Sequence, residues 1–130
     1  MDSPGDGELY PGMVAPPGYR YADHVGGELF VAGQVPHDAD GKLVGVGDTS
    51  VQTRQCLRNL VALVEQGGFA VGDIHHLTIY VVGEQQNRLD SWRAVTEFFD
   101  ASVPPATLLG VVGLGYENQL VEIDARVTRG

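Results

Sequence analysis

Apolar and polar residues follow two different periods along the chain, and these periods separate strands from helices. Alternation at every second residue, bounded by glycine or proline, predicts strands, whereas recurrence every three or four positions predicts helices. The predicted strands cover residues 28–32, 42–46, 74–82, 107–114 and 120–127, with a further strand over residues 21–25; the helices cover about residues 50–66 and 88–100. This order predicts an α+β fold with two helices on one face of a mixed sheet.

The first helix has the clearest pattern in the chain. Thr49 and Gln52 fit a capping box, in which Thr49 caps the helix and the Gln52 side chain reaches back to the backbone. Gly67 and Gly68 supply the stop signal. The apolar stripes that would face the sheet are Leu57, Leu60, Val61 and Val64 in the first helix, and Leu89, Trp92, Val95 and Phe99 in the second.

The strands are apolar in both of their alternating registers, which bears on the oligomeric state. In the last strand Val121, Ile123 and Ala125 would face the helices, while Glu122 would face the opposite side. The strands at residues 28–32 and 74–82 carry apolar side chains on both sides. Such strands need cover on both faces, and the helices supply only one cover. The pattern therefore predicts an oligomer in which another subunit covers the second face.

Composition narrows the class of protein. The 130 residues are 43% hydrophobic and 19% charged, which is typical of one globular domain. The formal net charge of −9 disfavours nucleic-acid binding, because that binding depends on lysine and arginine contacts to phosphate. No apolar run suggests a leader or a membrane span, so a cytoplasmic protein without membrane contact is expected.

The chain divides into an N-terminal arm and a single domain. Residues 1–18 contain four of the seven prolines together with four glycines, and this composition predicts an irregular arm. Residues 19–130 then form the domain, with a turn predicted over residues 38–41.

Four segments, in order and with matching spacing, resemble the RidA/YjgF family over about residues 19–128. They are Tyr19 with Ala32-Gly33-Gln34-Val35-Pro36; Asp40-Gly41-Lys42-Leu43-Val44 with Gln52-Thr53-Arg54-Gln55 and Asn59-Leu60; Pro104-Pro105-Ala106-Thr107; and Leu120-Val121-Glu122-Ile123-Asp124-Ala125. The resemblance implies a RidA-like fold that forms a homotrimer with a barrel-like centre and small-molecule clefts between subunits. It also implies hydrolysis of reactive enamines or imines to a keto acid and ammonia, with no cofactor.

The sequence departs from the family at the substrate anchor. Aligning Pro104 and Thr107 with the family's Pro-Ala-Arg-Ser/Thr motif places Ala106 where the family has the arginine that binds the substrate carboxylate. Alanine cannot form the bidentate pair that a guanidinium forms. Trp92 likewise stands where the second helix of the family has asparagine. The expected activity is therefore an enamine or imine hydrolase that does not use 2-aminoacrylate. The alternatives are a non-catalytic small-molecule-binding or regulatory trimer and, less favoured by the charge, an endoribonuclease.

Glu122 is the leading catalytic candidate. The resemblance implies that this residue helps position a water, and a carboxylate near an apolar cleft can act as an acid or base. The alternative is a structural hydrogen bond at the trimer interface.

The predicted substrate-binding residues are Tyr19, Gly33, Trp92, Ala106, Thr107 and Tyr116. Tyr19 and Tyr116 could each donate a hydrogen bond to a ligand. The alternative for Tyr19 is simple packing of the arm, and the alternative for Tyr116 is an exposed aromatic residue in a loop. Packing in the core is the favoured interpretation of Trp92. The functional interpretation is that its large ring reshapes the pocket. Gly33 and Gly110 would permit close backbone approach, and their amides could bind an oxyanion if they line the cleft.

A metal site is not expected. His75 and His76 are adjacent in a strand and point to opposite faces, so they cannot readily share one ion. Cys56, the single cysteine, is expected to be a buried and unreactive thiol on the first helix.

Overall fold

The computed structural model describes residues 9–10, 13–14 and 17–129. Most of the predicted arm therefore lies outside the described residues. The elements in chain order are β1 (Leu9–Tyr10), β2 (Met13–Val14), β3 (Ala22–Val25), β4 (Glu28–Gln34), α1 (Thr49–Gln66), a short 3-10 helix (Val71–Asp73), β5 (Ile74–Val82), α2 (Gln85–Phe98), β6 (Ala106–Val111) and β7 (Val121–Thr128).

The main sheet has five strands in the order β3-β4-β7-β5-β6. All neighbours pair antiparallel except β5 and β6, which are parallel and are joined by α2. A separate antiparallel pair joins β1 to β2. Both long helices contact the sheet on one side, which confirms the predicted α+β fold with two helices packed on a mixed sheet.

The core lies between the two helices and one face of the sheet. Alternate side chains of β7 are buried there, among them Val121, Ile123 and Ala125, and β5 contributes Leu77 and Ile79. The register places Tyr80 opposite Glu122 on the other face, with Leu109 of β6 beside Tyr80. No helix within the described residues covers that second face, which we call the open face.

The turn after β4 forms as predicted, but the strand predicted over residues 42–46 does not. The Asp38 side chain accepts hydrogen bonds from the backbone of Asp40 and Lys42, which closes the turn. Only an isolated bridge between His37 and Leu43 follows. The apolar run at 43–46 is interrupted by Gly45, whose φ of 66° is incompatible with extended strand backbone.

Helix α1 ends as predicted but begins differently. Asp48, not Thr49, is its N-cap, and the Asp48 carboxylate accepts a hydrogen bond from the backbone N–H of Val51. The Gln52 side chain is fully buried instead of completing a capping box. It donates to the backbone oxygens of Gly45 and Asn118 and accepts from the N–H of Leu120. Gln52 therefore ties α1 to the loop that precedes β7.

Helix α2 starts at Gln85, three residues before the predicted start, and its predicted apolar stripe is only half buried. Val95 and Phe99 are in the core, but Leu89 is 50% exposed and Trp92 is 40% exposed. The core-packing interpretation of Trp92 is therefore wrong for this chain. Among the described residues, no helix has the length and apolar character needed to cross a bilayer.

Candidate active site

Glu122 is the second residue of β7, the middle strand of the sheet, and points to the open face. Its neighbours along the strand, Val121 and Ile123, are buried on the helix side, and this alternation directs the carboxylate the opposite way. The side chain is half-buried. On the adjacent strand Tyr80 lies opposite Glu122, and the Tyr80 hydroxyl donates a hydrogen bond of 2.9 Å to Asp124.

The Glu122 carboxyl is held by the loop that precedes it. Gln119 is 4% exposed. Its Nε2 donates to Glu122 Oε1 at 3.3 Å and to the backbone oxygen of Val121 at 3.0 Å. Its Oε1 accepts from the backbone N–H of Tyr116 at 3.2 Å. Gln119 therefore fixes one carboxyl oxygen and couples it to the loop that carries Tyr116.

The backbone of β4 closes the other side of the carboxyl group. The β4–β7 register shifts between Val31 and Gln34, and the shift brings Gly33 against Glu122. A Cβ at position 33 would overlap the Glu122 carboxyl, with Oε2 as its nearest atom. The close approach predicted for Gly33 is thus confirmed, and its partner is the candidate catalytic residue.

Aromatic side chains gather beside this carboxylate. The rings of Tyr116 and the buried His37 meet edge to face with centroids 4.7 Å apart. Tyr19 and Tyr21 form a second edge-to-face pair with centroids 5.3 Å apart, and they line a cleft of about 450 Å³ together with Phe30. Glu122 is not among the residues that line this cleft, but Tyr116 interacts electrostatically with Tyr21, Glu122 and Tyr19 and so links the rings to the carboxylate.

Burial and neighbouring groups alter the acidity of the cluster. Burial raises the pKa of Glu122 above its ordinary value of 4.5, the Gln119 hydrogen bond opposes this shift, and the charge of Asp124 adds to it. Burial also raises the pKa of Tyr116 to about 12, with further contributions from Tyr21, Glu122 and Tyr19. A carboxylate whose pKa lies closer to neutrality is a better general base, while a protonated Tyr116 can donate a hydrogen bond.

The structure brings together only part of the predicted site. Glu122, Gly33, Tyr116 and Tyr19 belong to the cluster at β4, β7 and their loops, which we call the Glu122 cluster. Ala106, Thr107 and Trp92 lie on β6 and α2, at the opposite edge of the sheet. Ala106 packs against the core on the helix side, and the Thr107 hydroxyl lies 3.3 Å from His76 Nε2.

Three members of the Glu122 cluster were not predicted from the sequence: Gln119, His37 and Tyr21. Gln119 lies three residues before Glu122 in a loop, and nothing in that spacing indicates an amide aimed at a carboxylate. Backbone contacts hold His37 in place, because Asn59 Nδ2 and Gln55 Nε2 donate to its backbone oxygen. Burial lowers its pKa, against the opposing charge of Asp38.

Cys56 is the buried thiol that the sequence predicted. It is fully buried, and its Sγ lies 3.6 Å from the backbone oxygen of Val121. Burial, with a smaller contribution from Glu122, raises the pKa of this thiol, so the reactive thiolate is disfavoured.

Comparison with known proteins identifies the family. A model described as "Endoribonuclease L-PSP" matches residues 13–128. The chain is 30% identical over 123 residues to a RutC family protein of Sulfurisphaera tokodaii, covering 95% of both chains. It is 31% identical over 126 residues to the 2-iminobutanoate/2-iminopropanoate deaminase of Salmonella typhimurium, covering 94% of both.

A solved structure agrees with these sequence matches. The crystal structure of E. coli TdcF with bound serine has a TM-score of 0.80 and 27% identity, covering 93% of this chain and 94% of that one. The fold, the family model and the sequence relatives agree, and the chain belongs to the RidA/YjgF family of small α+β proteins.

Proposed function

We propose that the protein is a homotrimeric hydrolase of enamines or imines, acting in clefts between subunits, with Glu122 as the residue that activates water. The observation that carries the proposal is the half-buried Glu122 carboxyl, held by Gln119 and enclosed by Gly33 beside a wall of tyrosines. The sequence relative named as an imine deaminase supports the same reaction class.

We place the cleft between subunits because Ala106 and Glu122, which represent the two halves of the family's site, lie on opposite faces of the sheet. Ala106 packs on the helix side of the sheet, whereas Glu122 points to the open face. Residues on opposite faces of one sheet cannot line one small cleft within the same chain. If both positions contact one substrate, they come from neighbouring subunits, and a trimer that covers the open face provides that arrangement.

The reaction balances with water as the only co-reactant. The Glu122 carboxylate accepts a proton from water as the water oxygen bonds to the iminium carbon. Glu122 then returns this proton to the nitrogen of the carbinolamine. As the carbon–nitrogen bond breaks, the carbinolamine hydroxyl gives its proton to Glu122 and the electron pair of that O–H bond forms the carbonyl. Glu122 passes this second proton to the departing ammonia, so a carbonyl compound and ammonium leave. The hydroxyls of Tyr19 and Tyr116 orient the substrate, and general-base assistance of this kind contributes about 10²–10⁴-fold.

A non-catalytic small-molecule-binding trimer is the second candidate, and Ala106 is the observation that favours it. The position where the resemblance places the carboxylate-binding arginine carries a methyl group, so the tight anchoring of 2-aminoacrylate is lost. The two functions differ in one measurable respect. A binder would retain ligands of the cleft without releasing ammonia from imines.

Ammonia release from freshly generated imines tests the proposal. Wild type is expected to accelerate release from at least one imine other than 2-aminoacrylate. Glu122→Gln, which keeps the shape and the contact with Gln119, should reduce that acceleration by about 100-fold or more. Asp124→Asn, two residues along the same face, serves as the matched control. Catalysis that survives Glu122→Gln unchanged would remove Glu122 from the mechanism.

Light scattering in dilute solution tests the assembly independently. The expected mass is three times the chain mass of 13.9 kDa. A stable monomer would refute both the trimer and the shared cleft.

A further inference from the structure

Arg88 occupies an unusual position at the edge formed by α2 and β6. Its side chain is half-buried and lies across the backbone of Gly110. Its Nη1 donates a hydrogen bond of 3.3 Å to the backbone oxygen of Gly83. This bond uses one of the five donors of the guanidinium. The remaining donors include those of the planar fork that binds carboxylates in bidentate fashion.

Among the described residues, Arg88 has no carboxylate partner, a property that it shares with Arg54, Arg58 and Arg129. Of these four arginines, Arg88 is the one that lies against Gly110 at the edge between α2 and β6. The chain has 17 acidic residues, and three arginines form ion pairs with them: Arg20 with Asp23, Arg93 with Asp90, and Arg126 with Glu28. Among the part of the chain that the structure describes, no carboxylate lies within ion-pair distance of Arg88. A guanidinium in a protein stays charged, so this one is available to an external anion.

Gly110 provides the space that the guanidinium occupies. A Cβ at position 110 would lie 2.9 Å from Arg88 Nη1 and 3.5 Å from its Cζ. Any larger residue would push the guanidinium away from β6. The glycine and the arginine therefore act together, although they are 22 residues apart in the chain.

The same edge carries the two positions where the sequence departs from the family. Ala106 and Gly110 point to the same side of β6, because they are an even number of residues apart. Arg88 and Trp92 are one helical turn apart on α2, so both lie on the same face of that helix. We call the set of Arg88, Trp92, Ala106 and Gly110 the α2–β6 edge. It lacks the arginine of the family motif, but it keeps an arginine supplied by the neighbouring helix.

We propose that Arg88 binds the carboxylate of the substrate, in place of the arginine that the family motif would supply at position 106. This inference rests on the proposed function, in which the α2–β6 edge of one subunit meets the Glu122 cluster of the next. The substrate class is then an imine that bears a carboxylate. Arg88 lies over a backbone position four strand residues from Ala106, about 13 Å along β6. A substrate held there sits differently from one held at position 106, in keeping with a substrate other than 2-aminoacrylate.

Binding of stable oxo acids, which resemble the hydrolysis product, tests the proposal without requiring turnover. The probes are pyruvate, levulinate and 5-oxohexanoate, in which the distance between carbonyl and carboxylate increases, with 2-pentanone as the uncharged comparison. Calorimetry should show that wild type binds at least one oxo acid more tightly than 2-pentanone. Arg88→Gln should weaken the tightest of them by at least about tenfold and leave 2-pentanone unchanged.

Two further variants separate the role of the charge from a change in folding. Arg93→Gln removes an arginine from the same helix that already pairs with Asp90, and it should leave oxo-acid binding unchanged. Gly110→Ala keeps the charge but displaces it, so binding should weaken several-fold while the melting temperature stays close to that of wild type. If Arg88→Gln and Gly110→Ala both bind the oxo acids as wild type does, the proposal is overturned.

The experiments distinguish failure of the Arg88 proposal from failure of the proposed hydrolase activity. Oxo-acid binding that depends on Arg88, in a protein that releases no ammonia from imines, would support this inference and contradict the hydrolase. Hydrolysis that proceeds equally well in Arg88→Gln would support the hydrolase and contradict this inference.

Discussion

The Glu122 cluster and the α2–β6 edge are built in opposite ways. In the Glu122 cluster the carboxyl is enclosed by its own chain, with a buried amide on one side and the Gly33 backbone on the other. At the α2–β6 edge the side chains are open, with Trp92 40% exposed and Leu109, on the other face of β6, 43% exposed. The first region has the geometry of a finished catalytic group. In the proposed trimer, another subunit would complete the second region.

The difference indicates how the work is divided within the assembly. Catalysis requires a carboxylate fixed within a fraction of an ångström, and a single chain can build that rigidly. In the proposed function, substrate selection falls to the α2–β6 edge, whose residues are separate from those that fix the carboxylate. The replacement of the motif arginine by Ala106 changes only the second region.

The largest expected effect comes from filling the Glu122 cluster. In Gly33→Val the new side chain would overlap the Glu122 carboxyl and displace it. Ammonia release should fall by about 100-fold or more, and overpacking should cost about 1–3 kcal/mol of stability. The measurements are initial rates and thermal unfolding.

The matched control for this variant is Gly72→Ala. A Cβ at Gly72 meets no atom within 4 Å, so the rate should stay at the wild-type level. An active Gly33→Val protein would show that the enclosed geometry of the Glu122 cluster is not required.

The open face is tested by placing a charge on it. Leu109 is an exposed apolar residue on the open face of β6. Leu109→Asp places a carboxylate there, and in a trimer that carboxylate would be desolvated. The expected result is dissociation to monomers in light scattering, together with loss of activity. Val46→Asp, at a 66% exposed position in the loop before α1, should remain trimeric. A trimeric Leu109→Asp protein would move the interface away from the open face.

Gln119→Leu changes the pKa of Glu122 and leaves the Glu122 carboxyl itself in place. It removes the hydrogen bond that favours the ionised carboxylate, so the pKa of Glu122 should rise further. A general base must be ionised, and activity is lost as the pH falls through its pKa; the acidic limb of the pH–rate profile should therefore move to higher pH. The other titratable groups near the carboxylate are Asp124, Tyr80, Tyr116 and Cys56, none of which the substitution alters.

The same substitution removes the hydrogen bond from the Tyr116 N–H to Gln119 Oε1, which costs about 1–3 kcal/mol. Gln86 is an exposed glutamine whose one side-chain hydrogen bond among the described residues goes to Asp90. Gln86→Leu is therefore the control, and it should change neither the acidic limb of the profile nor the stability. An unshifted acidic limb in Gln119→Leu would mean that Glu122 is not the titrating base.

The smallest effect is expected far from both regions. Asp48→Ala removes the N-cap of α1 and should lower the free energy of unfolding by about 1 kcal/mol without changing kcat/KM. Thr49→Ala removes the residue that the sequence pattern favoured as the cap. It should be less destabilising if Asp48 is the cap, and equal or greater destabilisation would reverse that assignment.

The sequence predicts the fold well because the fold depends on local periodicity. β5 has the predicted bounds of 74–82, and α1 stops at the predicted glycines. The cap of α1 was misplaced by one residue because Asp48 and Thr49 are both good capping residues. Gln52 also had the spacing of a capping box, but its partners lie up to 68 residues away, and no local pattern reveals them.

The candidate site is only partly predictable from the sequence, because local patterns do not reveal contacts between distant parts of the chain. Glu122 and Gly33 lie in short motifs, so the family resemblance identifies them. Gln119 and Arg88 become functional candidates only through contacts that folding creates, one with a neighbouring carboxylate and the other with a glycine on a distant strand. Trp92 follows the helical period but is 40% exposed, and periodicity alone does not report how deeply the rest of the fold covers a helix position.

The central claim is that one cleft joins the Glu122 cluster of one subunit to the α2–β6 edge of another, and complementation in mixed trimers tests it most directly. One variant is Glu122→Gln; the other is Gly110→Trp, which fills the edge at an exposed position where an added Cβ meets the Arg88 side chain. Each alone should be inactive. Co-expression with two different affinity tags, followed by purification on both, yields trimers that contain both chains.

If each cleft uses two subunits, one of the three clefts in every mixed trimer combines an intact Glu122 with an intact edge, so the purified mixed trimers should have about a third of wild-type activity. Activity no greater than that of the two separate variants would contradict the shared cleft and place both halves of the site within one chain.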